Sequence, residues 1–350
     1  MSRFLQLHLL TFFPPANLNR DDTGRPKTAV VGGTTRLRLS SQSLKRAWRT
    51  SDVFKHALDG HMGQRTQRLG EEVQAHLLER QVPPDRAKAV ARGVAAVFGK
   101  LKDEKDLNAT RIEQLAFIAP EERAAALALA ERAAASGETI ESRKAGLLRT
   151  ADTAADIALF GRMLADDPAY NREAAAQVAH AITTHRVTVE DDYYTAVDDL
   201  KRPSEDAGAG FLGEAAFGSG VFYLYLCIDR GLLVKNLGED ADARALAATA
   251  LGALAEAAAT TAPSGKQNSF AAHGRAQYVL AERGDAQPRT LAGAFSKAVT
   301  GSDLLEDSVA ALITFRSDLD AAYGPAAHEH TIMHVGKEGN LAEIVAFAKG

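Results

Sequence analysis

The sequence predicts an α+β fold, a strand framework interrupted by a long helical insertion. Three observations carry this. A strictly alternating apolar segment opens the chain, a central stretch is punctuated as consecutive helices, and alternating segments return after residue 175.

Residues 3–10 place Leu5, Leu7 and Leu9 on one face and Gln6 and His8 on the other, which reads as a strand. Pro14, Pro15, Gly24, Pro26, Gly32 and Gly33 then mark a long loop. In 34–40, Leu37 and Leu39 face one way and Arg36, Arg38 and Ser40 the other, a second strand. Ser41 reads as the N-cap of a helix on which Leu44, Ala47 and Trp48 share a face and Lys45, Arg46 and Arg49 lie away from it.

Residues 64–160 read as helices, with breaks at Pro83-Pro84 and a start at Pro120. Strands return at 176–189 and 218–228. A helix at 239–259, a strand near 276–281 and helices at 291–299 and 304–322 complete the body. No internal repeat is visible. The order of elements suits a ferredoxin-like core with insertions.

The 350 residues, 37.3 kDa, are enough for two domains. The start of the chain lacks a secretory pattern, and no apolar run approaches bilayer length. The single cysteine, Cys227, excludes an internal disulfide and fits a reducing cytoplasm. Net charge is −4, which by itself argues against a nucleic-acid partner. The distribution says otherwise. Between residues 20 and 49, Arg20, Arg25, Lys27, Arg36, Arg38, Lys45, Arg46 and Arg49 are opposed only by Asp21 and Asp22, so this window carries +6 and the remainder −10. A focused basic stripe on an acidic body binds phosphates at one face and repels them elsewhere.

That window has the parts of a phosphate-tracking surface. A helix N-terminus offers unpaired N–H groups and the positive end of its dipole. Ser40, Ser41, Gln42 and Ser43 add neutral donors there. Lys45 and Arg49, four apart, reach successive phosphates, and Arg36 and Arg38 project from the strand beside them. The bland alternative is a solvated basic helix.

Catalytic patterns are weak. Cys227 lies in an apolar strand without a base, and Ser219 is not in a nucleophile elbow. His180 and His185 fall on opposite strand faces. His328, His330 and His334 lack the spacing of a helical metal motif. The expectation is no catalytic residue, no metal and no cofactor.

The run LNRDDTGRPKTAVVGGTTRLRLSSQSLKRAWR closely resembles the opening of the CasC family, the repeated backbone subunit of the type I-E CRISPR Cascade complex. DIALFGRM at 156–163, AHAITTHRV at 179–187, and YYTAVDDL with GEAAFGSGVFY between 193 and 223 resemble the same family in the same order. The resemblance implies an RRM-like palm formed by 1–60 and 176–350, helical fingers at 61–175, and a hairpin-like thumb at about 190–220. It implies a non-catalytic, cytoplasmic subunit whose copies stack head-to-tail on crRNA, kink it at intervals and present it to target DNA for antiviral defence. The implied partners also include the large, small, 5′-end-capping and crRNA-processing subunits of the complex.

Carried over residue by residue, Arg20, Lys27, Ser40, Gln42, Lys45, Arg46 and Arg49 would hold guide phosphates. Met163, Tyr194 and Leu212 would wedge against bases at the kink. This chain has Thr34 and Thr35 where the family often has basic residues. Arg143, Lys144 and Arg149 are the nearest finger candidates for contact with duplex DNA. The rival reading from the enzyme class is a ribonuclease using Asp21 or Asp22, by analogy with backbone subunits of type III effectors. A third is a stand-alone RNA chaperone or sequence-specific binder.

Overall fold

A computed structural model describes residues 2–141, 146–164, 167–196 and 211–350. The strands are β1 (Phe4–Ala16), β2 (Thr28–Val31), β3 (Thr34–Leu39), β4 (Gln64–Thr66), β5 (Ala116–Ile118), β6 (Ala176–Val178), β7 (Ala181–Thr183), β8 (Glu190–Ala196), β9 (Phe211–Asp229), β10 (Tyr278–Gly284) and β11 (Glu329–His334). The helices are α1 (Ser41–Thr50), α2 (Asp52–Ala57), α3 (Leu69–Glu79), α4 (Pro84–Ala95), α5 (Pro120–Ser136), α6 (Ala155–Phe160), α7 (Arg230–Leu237), α8 (Ala241–Thr260), α9 (Gln267–Phe270), α10 (Leu304–Tyr323) and α11 (Leu341–Lys349).

One antiparallel sheet runs β11-β10-β1-β9-β7-β3-β2, with β6 and β8 also paired to β9. β1 pairs with β9 on one side and β10 on the other, so the opening alternation becomes the centre of the sheet. Leu5, Leu7 and Leu9 face α1, α2, α7, α8 and α11 in the main core. Gln6 and His8 are buried too, because α10 and the 3₁₀ turn Ala292–Phe295 cover the other face. β1 extends past residue 10 through Pro14 and Pro15, and the β1–β9 register shifts between Phe13 and Ala16. The prolines therefore sit where the ladder is already broken and no N–H is required.

Residues 64–160 are not helical throughout. The three-residue strands β4 and β5 pair with each other at the base of a helical lobe, Arg65 opposite Phe117. Such strands are too short to show a period. The lobe has its own core, with Val73, Leu77, Val90, Val94 and Ala126 from α3, α4 and α5. α6 packs instead into the main core through Ala155, Ala158 and Leu159. Two buried ion pairs fasten the lobe: Arg162 to Glu122 at 2.6 Å and Arg172 to Asp152 at 2.5 Å. The helix expected at 291–299 shrinks to the 3₁₀ turn, and β11 and α11 were not foreseen. Among the described residues no helix is long and apolar enough to cross a membrane.

Candidate nucleic-acid interface

The basic window folds into a loop, a hairpin and a helix that share one face. Asn19 joins them: its side-chain carbonyl accepts from the Ser40 N–H at 2.8 Å, and its backbone carbonyl accepts from the Lys27 N–H at 2.8 Å. Asn17 is buried and donates to the carbonyls of Gly24 and Ala216, both at 2.9 Å. Asp21 orders the tip. Its carboxylate accepts from the Thr23 hydroxyl at 2.7 Å and from the N–H groups of Thr23 and Arg25, which holds its pKa below the usual carboxylate range. Arg25 turns away and pairs with Asp191 on β8 at 2.7 Å, linking this loop to the β8–β9 hairpin.

Ser40, not Ser41, caps α1. Its hydroxyl accepts from the Ser43 N–H at 3.4 Å while Ser40 itself is nearly buried. The reason is the extended backbone at Ser40, which places the hydroxyl under the first turn. Ser40 therefore spends its oxygen on the helix, while Gln42 stays exposed at the helix start. Leu44 and Trp48 bury the inner face as expected, and Lys45 and Arg46 lie outside. Lys45 is half-buried, and that partial desolvation lowers its pKa.

Arg36 departs from its expected place. It is fully buried, donating from Nη1 to the Thr183 carbonyl at 2.8 Å, from Nη2 to the Phe295 carbonyl at 3.1 Å and from Nε to the Thr34 hydroxyl at 2.9 Å. The alternation placed it opposite Leu37 correctly, but that face is covered, so Arg36 spends its donors on bracing the fold. Arg38 is accessible. Its Nη1 lies 2.7 Å from Nδ1 of His180, whose pKa is lowered by burial and by the nearby charges of Arg38 and Lys27. Protonation of His180 is thus disfavoured beside two cations.

Arg49 is half committed, with Nε on Asp156 at 2.7 Å and Nη2 on the Gly63 carbonyl at 3.1 Å. Arg20 is exposed on the loop, bridged through its backbone to Pro26. Among the described residues no carboxylate lies within salt-bridge distance of Arg20, Lys27, Arg38, Lys45, Arg46 or Arg65. The stretch from loop to helix therefore presents uncompensated positive charge on a chain that is negative overall.

The wedge candidates lie on other elements. Met163 is 78% exposed just after α6, beside Leu115 and Leu164. Leu212 is 70% exposed on β9, opposite Thr195 of β8. Tyr194 lies one pair further on, opposite Gly213. Arg143 and Lys144 lie outside the described residues, and Arg149 is exposed with its backbone N–H on Glu122 at 3.0 Å. His334 sits on β11 against Glu306 at 3.0 Å and His328 lies 3.5 Å from Asp285. Among the described residues no group of three or more metal-ligating side chains converges.

The model of the family described as CT1975-like protein matches residues 5–347. The chain belongs to the CT1975-like family. Two solved structures resemble this CT1975-like chain over nearly its whole length. One is a chain of a "CRISPR RNA-guided surveillance complex, pre-nicking", 32% identical, with a TM-score of 0.82 over 97% of this chain and 95% of that one. Another is from a "CRISPR RNA-guided surveillance complex", 27% identical, with a TM-score of 0.73 over 97% and 94%. No curated protein matches the chain. Residues that sequence reasoning missed are Asn17, Asn19 and His180, which shape this candidate face, and Arg65 with Phe117 beside Arg49. The two asparagines carried a readable signal, since turn-forming Asn beside Gly and Pro fixes loops through its amide.

Proposed function

We propose that this CT1975-like protein is a non-catalytic, cytoplasmic backbone subunit of a type I-E CRISPR surveillance complex. Its copies bind crRNA head-to-tail, kink it, and hold it for pairing with target DNA beside the other subunits. The observation that carries this reading is the uncompensated positive face of Lys27, Arg38, Lys45 and Arg46 at the start of α1, on a chain whose full-length likenesses include subunits of RNA-guided complexes. Backbone charge and helix-terminal N–H groups bind any sequence, so specificity is left to base pairing. Ordering the guide in advance lowers the entropy lost when the target pairs. Palm, fingers and thumb would correspond to the sheet, the helical lobe and the β8–β9 hairpin.

Gel filtration of purified protein with and without guide RNA tests it. The expected result is a large assembly only with RNA; a one-to-one complex would favour the stand-alone binder. Incubating the assembly with complementary RNA and Mg²⁺ tests the ribonuclease alternative. No cutting is expected, and cutting that is lost in Asp21→Ala would overturn the non-catalytic reading.

A further inference from the structure

Arg65 was not singled out by the sequence, yet it meets the basic helix across one aromatic ring. It stands opposite Phe117 in the β4–β5 pair, with its guanidinium carbon 5.1 Å from the ring centre. The guanidinium carbon of Arg49 lies 4.7 Å from the centre of that same ring. Phe117 is a fixed platform, buried with Ala119, Ala154 and Ile157 between the two lobes. Arg46, three residues before Arg49 on α1, is exposed nearby.

The charge balance there is one-sided. The carboxylate of Asp156 is already taken by Arg49 Nε and by the N–H groups of Gly63 and Ile157. Among the described residues no acid pairs with Arg46 or Arg65. Burial lowers the pKa of Arg65, and the charges of Arg49 and Arg46 lower it further while Asp156 opposes them. Holding three guanidinium groups against one committed carboxylate is electrostatically costly, and an anion among them relieves it. Planar N–H forks suit the oxygens of a phosphodiester.

We propose that Arg65 completes a second phosphate site with Arg46 and Arg49 on the Phe117 platform, and that it holds a phosphodiester of the guide RNA. This rests on the RNA-binding reading above and extends the track from the N-terminal end of α1 past Lys45 to the base of the helical lobe.

The test is binding of a single-stranded RNA oligonucleotide across a salt series by the wild type, Arg65→Gln and Arg65→Lys, with the thermal midpoint of each. For Arg65→Gln we expect several-fold weaker binding and a log–log salt slope shallower by about 0.7, the value of one single-strand phosphate contact. Its midpoint should move by no more than about 2 °C, since Arg65 is largely solvent-accessible and pairs with no acid among the described residues. Arg65→Lys keeps the cation and should return the slope to the wild-type value, with affinity between the two. Wild-type slope and affinity in Arg65→Gln would overturn the site and leave the RNA-binding reading standing. Wild-type protein that binds no RNA would overturn both. A slope lost equally in Arg65→Gln and Arg65→Lys would make the role one of shape rather than charge and would also overturn it.

Discussion

Arg49 donates from Nε to Oδ2 of Asp156 at 2.7 Å, which ties α1 to the short helix that follows the helical lobe. The other carboxylate oxygen accepts from the Gly63 N–H at 2.7 Å and the Ile157 N–H at 3.0 Å, and Asp156 is fully buried. Burial pushes its carboxyl pKa up, against those donors and Arg49. Removing the acceptor leaves two buried N–H groups unpaired and takes from the Arg49 guanidinium its only carboxylate among the described residues. Asp156→Ala should cost about 3 kcal/mol, within the range for breaking a buried pair. Arg46→Ala, exposed on the same helix, should stay within about 0.5 kcal/mol. Urea unfolding of both variants checks the contrast; equal stabilities would mean the Arg49–Asp156 pair holds nothing together.

Lys45 and Arg46 lie clear of acids on the outer face of α1, whereas Arg36 is enclosed. Replacing Lys45 and Arg46 by alanine should weaken RNA binding alike for every sequence and flatten the salt slope by about 0.7 for each phosphate no longer neutralised. Arg36→Met should instead lower stability by about 2 kcal/mol, because the carbonyls of Thr183 and Phe295 lose their buried donors. Its salt slope should match the wild type. A flattened slope in Arg36→Met at unchanged stability would return Arg36 to the phosphate-binding group.

The contrast between these arginines shows where the sequence is readable. Alternation in 3–10 and 34–39 identified β1 and β3 and the sides their residues face, because a strand has a period of two whatever covers it. It could not say that α10 covers the face carrying His8 and the 3₁₀ turn the end of Arg36, since both come from residues beyond 290. Helix α1 was legible down to Leu44 and Trp48, and its cap was missed by one residue. Arg65 was illegible because three-residue strands carry no pattern, and its partner ring is 52 positions away in sequence. The cations of the candidate interface were visible as composition; which of them are free of acids depends on tertiary contacts that composition does not encode.

His8 offers a pH test of the sheet itself. It is completely buried, with Nδ1 2.8 Å from the Tyr223 hydroxyl and Nε2 3.3 Å from Glu282. Burial lowers its pKa despite Glu282, so the folded state holds it neutral. In the unfolded chain it takes up a proton below about 6.5. Stability is therefore intact above that pH and falls as pH drops through 6.5 toward the lower folded value. The loss is about 1.4 kcal/mol per pH unit for each proton taken up. For Glu282, burial works against ionisation, but His8 beside it and the hydrogen bonds from Arg289 outweigh it and depress its pKa, so its contribution is lost only below about 4.5. His185, lowered by burial, acts in the same upper window as His8. Unfolding free energies between pH 7.5 and pH 5, taken as about the range that spans the histidine step, should decline in the wild type and decline less in His8→Gln. Identical slopes would show that His8 is already charged when folded.

Tyr194 lies across Gly213 on the neighbouring strand, so that a side-chain carbon built on Gly213 would fall 2.3 Å from the tyrosine ring. The ring covers the glycine, and β8 is exposed along its whole length. Two substitutions can therefore disturb Tyr194 in different ways. Tyr194→Ala removes the ring, and Gly213→Ala keeps it but forces it off the strand. Neither touches the buried core, so both should leave the thermal midpoint within about 2 °C of wild type. If the ring wedges against bases as proposed, both should blur the regular spacing of protected nucleotides along a bound guide RNA. Leu212→Ala, 70% exposed one residue away, should do so as well. The deciding case is Gly213→Ala, which keeps every atom of the tyrosine and changes only where it sits. Sharp, periodic protection in that variant together with blurred protection in Tyr194→Ala would mean that the ring acts without a fixed position, which a wedge cannot do.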